Sequence, residues 1–249
     1  MQEFWIGAGI TVSYIIVAAA IALLARKFLT IPNELFRKIL HFILLGAYIP
    51  LVFAFETWWM AAIFAGALIV VIFPILLLVS RWPAFSSFVV ERRKGEFIRS
   101  MVSALSMMVF SVSVCWGWMG DRYLVFACIY AWGIGDAFAA LIGKRFGKHK
   151  IKWRLADGKK SVEGSIAMFI CAFVSVFTVL WLRGGISILA GLLIAFLTGI
   201  CCSVAELCTK NGWDTVVCPT VAMLVILPLV QLFETDGAAI ALHTVFLFV

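Results

Sequence analysis

Charge is what this chain has least of. Of its 249 residues, 13% are Asp, Glu, Lys or Arg and 64% are hydrophobic, against about 25% charged and roughly 45–50% apolar in soluble domains. So little polar surface excludes a water-soluble globule, and with it a soluble enzyme or a disordered tail. Histidine is scarce, with three in all, and the seven cysteines form no Cys-x-x-Cys pair. That argues against a zinc site and a disulfide scaffold, and leaves the cysteines as small apolar packing residues. No Gly-x-x-x-x-Gly-Lys-Ser/Thr tract occurs, so a nucleotide site of P-loop type is excluded. No Ser/His/Asp triad is suggested.

What is present is a series of long apolar runs. A membrane-spanning helix needs about 20 mostly apolar residues, and eight stretches qualify: Phe4–Ala25, Ile39–Phe55, Trp58–Val79, Ser100–Met119, Tyr123–Ile142, Gly164–Leu182, Ile186–Ala205 and Val216–Phe233. Backbone groups in hydrocarbon must bond internally, so these runs predict helices and not strands. A last apolar piece, Ala238–Val249, is short for a span and predicts a half-helix or a tilted ninth pass. Met1-Gln2-Glu3 lacks the positive start of a cleavable leader. There is no internal repeat. The expectation is an all-α, polytopic membrane helix bundle formed by residues 1–249 as one integral membrane domain.

The basic residues set an orientation. With the N-terminus outside and the spans alternating, the inner loops hold Arg26, Lys27, Arg37 and Lys38, then Arg81, Arg92, Arg93, Lys94 and Arg99. They also hold Lys144, Arg145, Lys148, Lys150, Lys152, Arg154, Lys159, Lys160 and Lys210. That is eighteen of the twenty Lys and Arg; only Arg122 and Arg183 fall outside. Basic residues concentrate in cytoplasmic loops, so the net charge of +7 follows from topology and calls for no nucleic-acid partner.

Nine of the thirteen acidic residues separate into two groups. Glu3, Glu56, Asp121, Glu234 and Asp236 fall on the outer side and read as ordinary loop residues. Four others face the inner side: Asp136 within the fifth span, Glu163 just before the sixth, Glu206 at the end of the seventh and Asp214 just before the eighth. Asp136 lies eight residues before Lys144, about 12 Å below the basic loop at ~1.5 Å per residue. A charge at that depth is costly unless it faces a polar cavity. Small residues recur beside these acids: Gly133, Asp136, Ala140 and Gly143; Gly164, Ala167 and Cys171; Gly191, Ala195, Thr198, Cys202 and Glu206. Small side chains let membrane helices approach closely, so these three helices are expected to pack together and to gather their carboxylates.

Gly143 to Glu163 is the most distinctive stretch. Eight positive charges fall within it, and a charge run of this kind holds topology or touches anionic lipid heads. The residues between the charges suggest more. Gly143 and Gly147 permit close backbone approach, Ser161 is placed to cap the next helix, and a helix N-terminus attracts anions. Lys144, Arg145, Lys159 and Lys160 flank these positions. Positive charge, exposed N–H groups and nearby carboxylates for a divalent ion are what a polyphosphate site requires. A further cluster, Arg37-Lys38-Ile39-Leu40-His41, opens the second span.

These residues resemble the motifs of the CTP-dependent lipid-alcohol kinases, the family of dolichol, phytol and farnesol kinases and the CTP-using diacylglycerol kinase. The matching blocks are Arg37-Lys38-Ile39-Leu40-His41; Gly135-Asp136 with Gly143-Lys-Arg-Phe-Gly147; Lys160-Ser161-Val162-Glu163-Gly164-Ser165; and Glu206 with Gly212-Trp213-Asp214 and Pro219. Thr215 stands where those kinases usually carry Asn after the late Asp. Phosphatidate cytidylyltransferase is similar in the central blocks, but it carries a further acidic C-terminal signature, and Gly212–Pro219 here is shorter and less acidic.

The resemblance implies transfer of the γ-phosphoryl group of CTP to the hydroxyl of a membrane lipid alcohol at the cytosolic face. It implies Mg²⁺ held by Asp136, Glu206 and Asp214. The nucleotide would be held by Arg37, Lys38, Gly143, Lys144, Arg145, Gly147, Lys159, Lys160, Ser161, Glu163 and Gly164. His41 or one of the carboxylates Asp136, Glu206 and Asp214 would receive the proton. Two other readings stay open: synthesis of a CDP-lipid from phosphatidate, and a transporter or scaffold that uses Asp136 as an ion site.

Overall fold

The computed structural model describes residues 2–81, 95–151, 160–210 and 212–247, with side chains as far as 234. All regular structure among them is helical: α1 (Gln2–Phe28), α2 (Asn33–Gly46), α3 (Tyr48–Phe53), α4 (Trp58–Val79), α5 (Glu96–Ser111), a π-helical turn (Val112–Trp118), α6 (Arg122–Phe146), α7 (Val162–Arg183), α8 (Ile188–Cys208) and α9 (Asp214–Leu247). Eight helical stretches are long and apolar enough to cross a membrane. They coincide with the eight expected spans, and the protein is an integral membrane protein.

Where the boundaries moved, local chemistry explains the shift. The second span begins at Asn33, directly after Pro32, so Arg37, Lys38 and His41 lie within a helix and not at its start. Arg37 is held there by Glu34, one turn away at 3.7 Å. The same span breaks at Ala47 between α2 and α3. Pro50 has no N–H for the Gly46 carbonyl, which removes one rung of the ladder. The fourth span ends in wider turns: the Met119 N–H reaches the Val114 carbonyl, five residues back, at 3.1 Å. Finally, Ala238–Leu247 continues α9 without a turn. The piece expected as a half-helix or a ninth pass is an extension of the eighth span's helix.

The two basic residues that break the charge rule each have a partner. The Arg122 guanidinium donates to the Glu56 carbonyl at 2.8 Å and lies 4.3 Å from the Trp116 ring centroid. Arg183 forms an ion pair with Glu234. Glu234 is therefore an ion-pair partner and not the plain loop residue its position suggested.

The chain divides into two compact units, residues 1–122 with 210–216, and residues 123–209 with 217–249. In the first, Tyr14, Phe55 and Trp58 pack against glycine notches at Gly46, Gly7 and Gly117. In the second, the small-residue stripes meet as expected. A Cβ at Gly164 would lie 3.0 Å from the Ala139 carbonyl oxygen and 3.4 Å from Gly143 Cα, which joins α6 to α7. A Cβ at Gly199 on α8 would lie 3.0–3.1 Å from Phe169 of α7, and Ser203 Oγ donates to the Ser165 carbonyl at 3.4 Å. Cys202 of α8 and Cys218 of α9 contact each other's carbonyls at 3.8 and 4.0 Å. All seven cysteines are free thiols.

Candidate functional site

The second unit assembles the polar residues around the start of α7. Ser161 takes an extended backbone, φ −130° and ψ 156°, and its Oγ accepts the Gly164 N–H at 3.2 Å. The expected N-cap is thus formed, and it satisfies a donor that the helix itself cannot. Ser161 is 2% exposed because three glycines close around it. A Cβ at Gly143 or Gly164 would lie 3.2–3.3 Å from Ser161 Oγ. One at Gly147 would overlap the Gly143 carbonyl oxygen and lie 2.6 Å from that hydroxyl. Any larger residue at 147 would push the loop away from the helix.

Backbone pairing then returns the loop to the helix start. Lys150 and Ser161 form an antiparallel bridge. The Ile151 N–H donates to the Lys160 carbonyl, and the Val162 N–H to the His149 carbonyl, both at 3.0 Å. The Glu163 carboxylate, in the first turn of α7, reaches back across this pairing. It accepts the Lys148 N–H at 3.1 Å and the His149 N–H at 3.2 Å, and lies 2.8 Å from His149 Nδ1. Lys144, Arg145, Lys148, His149 and Lys150 stay exposed on the outside of this fold.

Lys160 points the other way, into the end of α8. Its ammonium lies 2.9 Å from Glu206 Oε1. It also donates to the Glu206 carbonyl, and to the Thr209 carbonyl at 3.1 Å. The Glu206 carbonyl lies in the last turn of α8 and the Thr209 carbonyl at its C-cap, where the negative end of the helix dipole favours a cation. The motif spacing marked Lys160 and Glu206 separately; it carried no sign of their pairing, nor of Thr209, whose only local cue is its place just past a helix end.

Gly143, Gly147, Lys160, Ser161, Glu163, Gly164 and Glu206 thus form one connected set within the second unit. Asp136 sits half-buried on α6 in the same unit, two turns before the Gly143 contact. Lys144 and Arg145 lie in this unit too, and Arg37, Lys38, His41 and Asp214 belong to the first. There Arg37 lies 3.3 Å from Glu96. Lys38 is 9% exposed, and the His41 ring packs edge-on to Phe42. Asp214 is the first residue of α9 and follows Gly212, whose φ of 84° makes the turn. Lys159 lies outside the described residues.

Among the described residues no group of three or more His, Cys, Asp or Glu is placed to hold a metal ion. The two best-defined carboxylates, Glu163 and Glu206, are turned toward nitrogen donors. Of the ligands the motifs implied, Asp136 and Glu206 belong to the second unit, where Glu206 is engaged by Lys160, and Asp214 belongs to the first.

Residues 3–209 match the model of the cytidylyltransferase family. The match covers most of the chain, including the glycine–serine junction, the Glu163 contacts and the Lys160–Glu206 pair, and the chain belongs to that family, whose enzymes use CTP. No curated protein and no solved structure matches it. The Gly212–Pro219 segment, with Asp214, falls beyond the matched residues.

Proposed function

We propose that the protein is a CTP-dependent kinase. It transfers the γ-phosphoryl group of CTP to the hydroxyl of a lipid alcohol dissolved in the membrane, a polyprenol, a phytol-type isoprenoid or diacylglycerol, at the cytosolic face. The observation that carries this reading is the pinning of the cation-rich Gly143–Ile151 loop onto the capped start of α7, in a chain of a CTP-using family. In the reaction the lipid oxygen attacks the γ-phosphorus and forms the new P–O bond. The bond to the β-phosphate bridging oxygen breaks, CDP leaves, and the hydroxyl proton passes to a base. Phosphoryl transfer depends chiefly on positioning and charge neutralisation. Lys144, Arg145 and Lys159 would meet phosphate oxygens, and the motifs imply His41 or a carboxylate as the group that receives the proton.

A second reading is favoured by the family itself: attack of phosphatidate on the α-phosphorus, which releases pyrophosphate and makes a CDP-lipid. The Arg37–His41 block and the short Gly212–Pro219 segment support the kinase over it. One experiment separates them. Membranes containing the protein are given lipid alcohols or phosphatidate, with CTP labelled at the α or the γ phosphate. Label from the γ position in lipid is expected; label from the α position would establish the second reading. Neither label would point to an ion-site or scaffold role. The Asp136→Asn variant is expected to reach the membrane and to lose labelling.

A further inference from the structure

Sequence motifs cast Glu206 as a metal ligand and Lys160 as a phosphate ligand, with Glu163 beside the nucleotide. The geometry points elsewhere. We infer that Glu163, Lys160 and Glu206 are positioning residues, a two-point clamp that holds the cationic 147–151 loop in shape, and that none of the three is a metal or phosphate ligand. The inference deepens the CTP reading above and rests on it for the identity of the nucleotide.

The first point is the Lys160 ammonium. A lysine has three N–H donors and no acceptor. Here three acceptors surround it: Glu206 Oε1 at 2.9 Å, the Glu206 carbonyl, and the Thr209 carbonyl at 3.1 Å. Both side chains are largely buried, at 17% and 13% exposure, so water competes weakly for these bonds. A dication on the same Glu206 oxygen would face the ammonium at close range, like charge against like charge. A phosphate on Lys160 would have to displace acceptors that include the backbone end of a helix. The contact is that of a tie between the start of α7 and the end of α8.

The second point is Glu163. Its carboxylate gathers two adjacent loop N–H groups, of Lys148 and His149, and the His149 ring. Between the two points run the paired backbones of 149–151 and 160–162. Glu163 holds the outgoing side of the loop, and Glu206, through Lys160, holds the returning side. The exposed cations Lys144, Arg145, Lys148 and Lys150 are what the clamp presents.

The test uses full-length protein in nanodiscs, with Glu206→Gln, Glu206→Asp, Lys160→Met, Glu163→Gln and the Glu206→Gln/Lys160→Met pair. Two readouts are taken. The first is tryptic cleavage after Lys148 and Lys150 without ligand, which each single variant is expected to speed by about tenfold, the loss of one charged hydrogen-bonding contact. The second is binding of labelled CTP over a magnesium titration. Each single variant should weaken CTP about tenfold, with the magnesium midpoint and the turnover at saturating CTP unchanged. The double variant should be no worse than Lys160→Met alone, since that variant already releases the Glu206 carboxylate. Glu206→Asp, which shortens the side chain by one carbon, should show the same pattern if the amide variant does not fold.

A magnesium midpoint moved more than about tenfold by Glu206→Gln would overturn the inference, because it would make Glu206 a metal ligand. So would a further tenfold loss of CTP affinity when Glu206→Gln is added to Lys160→Met. Unchanged cleavage in all single variants would overturn it too. Faster cleavage in the variants of a protein that itself binds no CTP would keep the clamp and overturn the CTP reading alone.

Discussion

The two units use glycine differently. In the first, the tightest glycines are notches for rings. The Tyr14 hydroxyl fills the space where a Cβ at Gly46 would sit, and the Trp58 ring lies 2.8 Å from where one at Gly117 would sit, although Gly7 also meets the Ala54 carbonyl. In the second, the glycines around Ser161 bring backbones together: Gly147 onto the Gly143 carbonyl and Gly164 onto the Ala139 carbonyl, while Gly199 takes the Phe169 ring as well as its carbonyl and Gly135 the Met168 sulfur. Burial is uneven as well, although spans of both units share the 33% level. In the spanning windows of α1 and α4, 11% of residues are buried, against 61% in α6 and 50% in α8. Ring-on-glycine contacts can adjust, because an aromatic side chain can change rotamer. Backbone-on-backbone contacts cannot, and they fix the groups beside them. The chemistry-bearing set around Ser161 lies in the unit built the rigid way, which is where a site that works by positioning needs to be.

Substitutions test that contrast. Gly147→Ala should do most damage, since the added carbon meets a backbone oxygen and the buried Ser161 hydroxyl. A loss of about 3 kcal/mol is expected, read as a fall of roughly 6–12 °C in thermal unfolding of the detergent-solubilised protein. Gly117→Ala in the first unit should cost less, about 1–2 kcal/mol, because the Trp58 ring can shift. If the two variants were equally harmful, the distinction between ring notches and backbone contacts would fail. Arg183→Ala should cost about 1 kcal/mol, and Glu234→Gln should match it within error, as two ends of one ion pair. Gly9→Ala, with nothing within 4 Å of the added carbon, should raise the unfolding temperature slightly, by the ~0.5–1 kcal/mol that alanine gains over glycine in a helix. A fall there comparable to that of Gly147→Ala would show that α1 packs against something at that face.

The spans were legible because the signal for them is local. Twenty apolar residues without charge make a helix in hydrocarbon whatever lies beside it, and all eight runs appear at their expected places. The Ser161 cap was legible for the same reason: donor and acceptor lie three residues apart. The helix start at Asn33 was missed because Arg37 and Lys38 look like loop residues by composition, while the Glu34 contact makes them helical. The Arg183–Glu234 pair joins positions 51 residues apart, and no spacing rule announces it. The carboxylates show the limit most clearly. Counting along the chain placed Glu163, Glu206 and Asp214 at helix ends of one topological side, and the motif resemblance added a metal held by Asp136, Glu206 and Asp214, with Glu163 beside the nucleotide. Their orientation depended on neighbours 14 and 46 residues away: His149 for Glu163, Lys160 for Glu206.

The sequence by itself therefore determined the number and kind of helices, the concentration of cations in one loop, and the family. Each of these is a sum over neighbouring residues, or a match of short motifs, and none depends on how the helices meet. Only the tertiary structure decided which acid faces which base, that Lys160 is tied to the end of α8, and that the glycines beside Ser161 carry backbone against backbone. Those outcomes turn on separations near 3 Å between residues far apart in the chain. A displacement of one helix by a fraction of a turn would change every one of them while leaving the apolar pattern as it is.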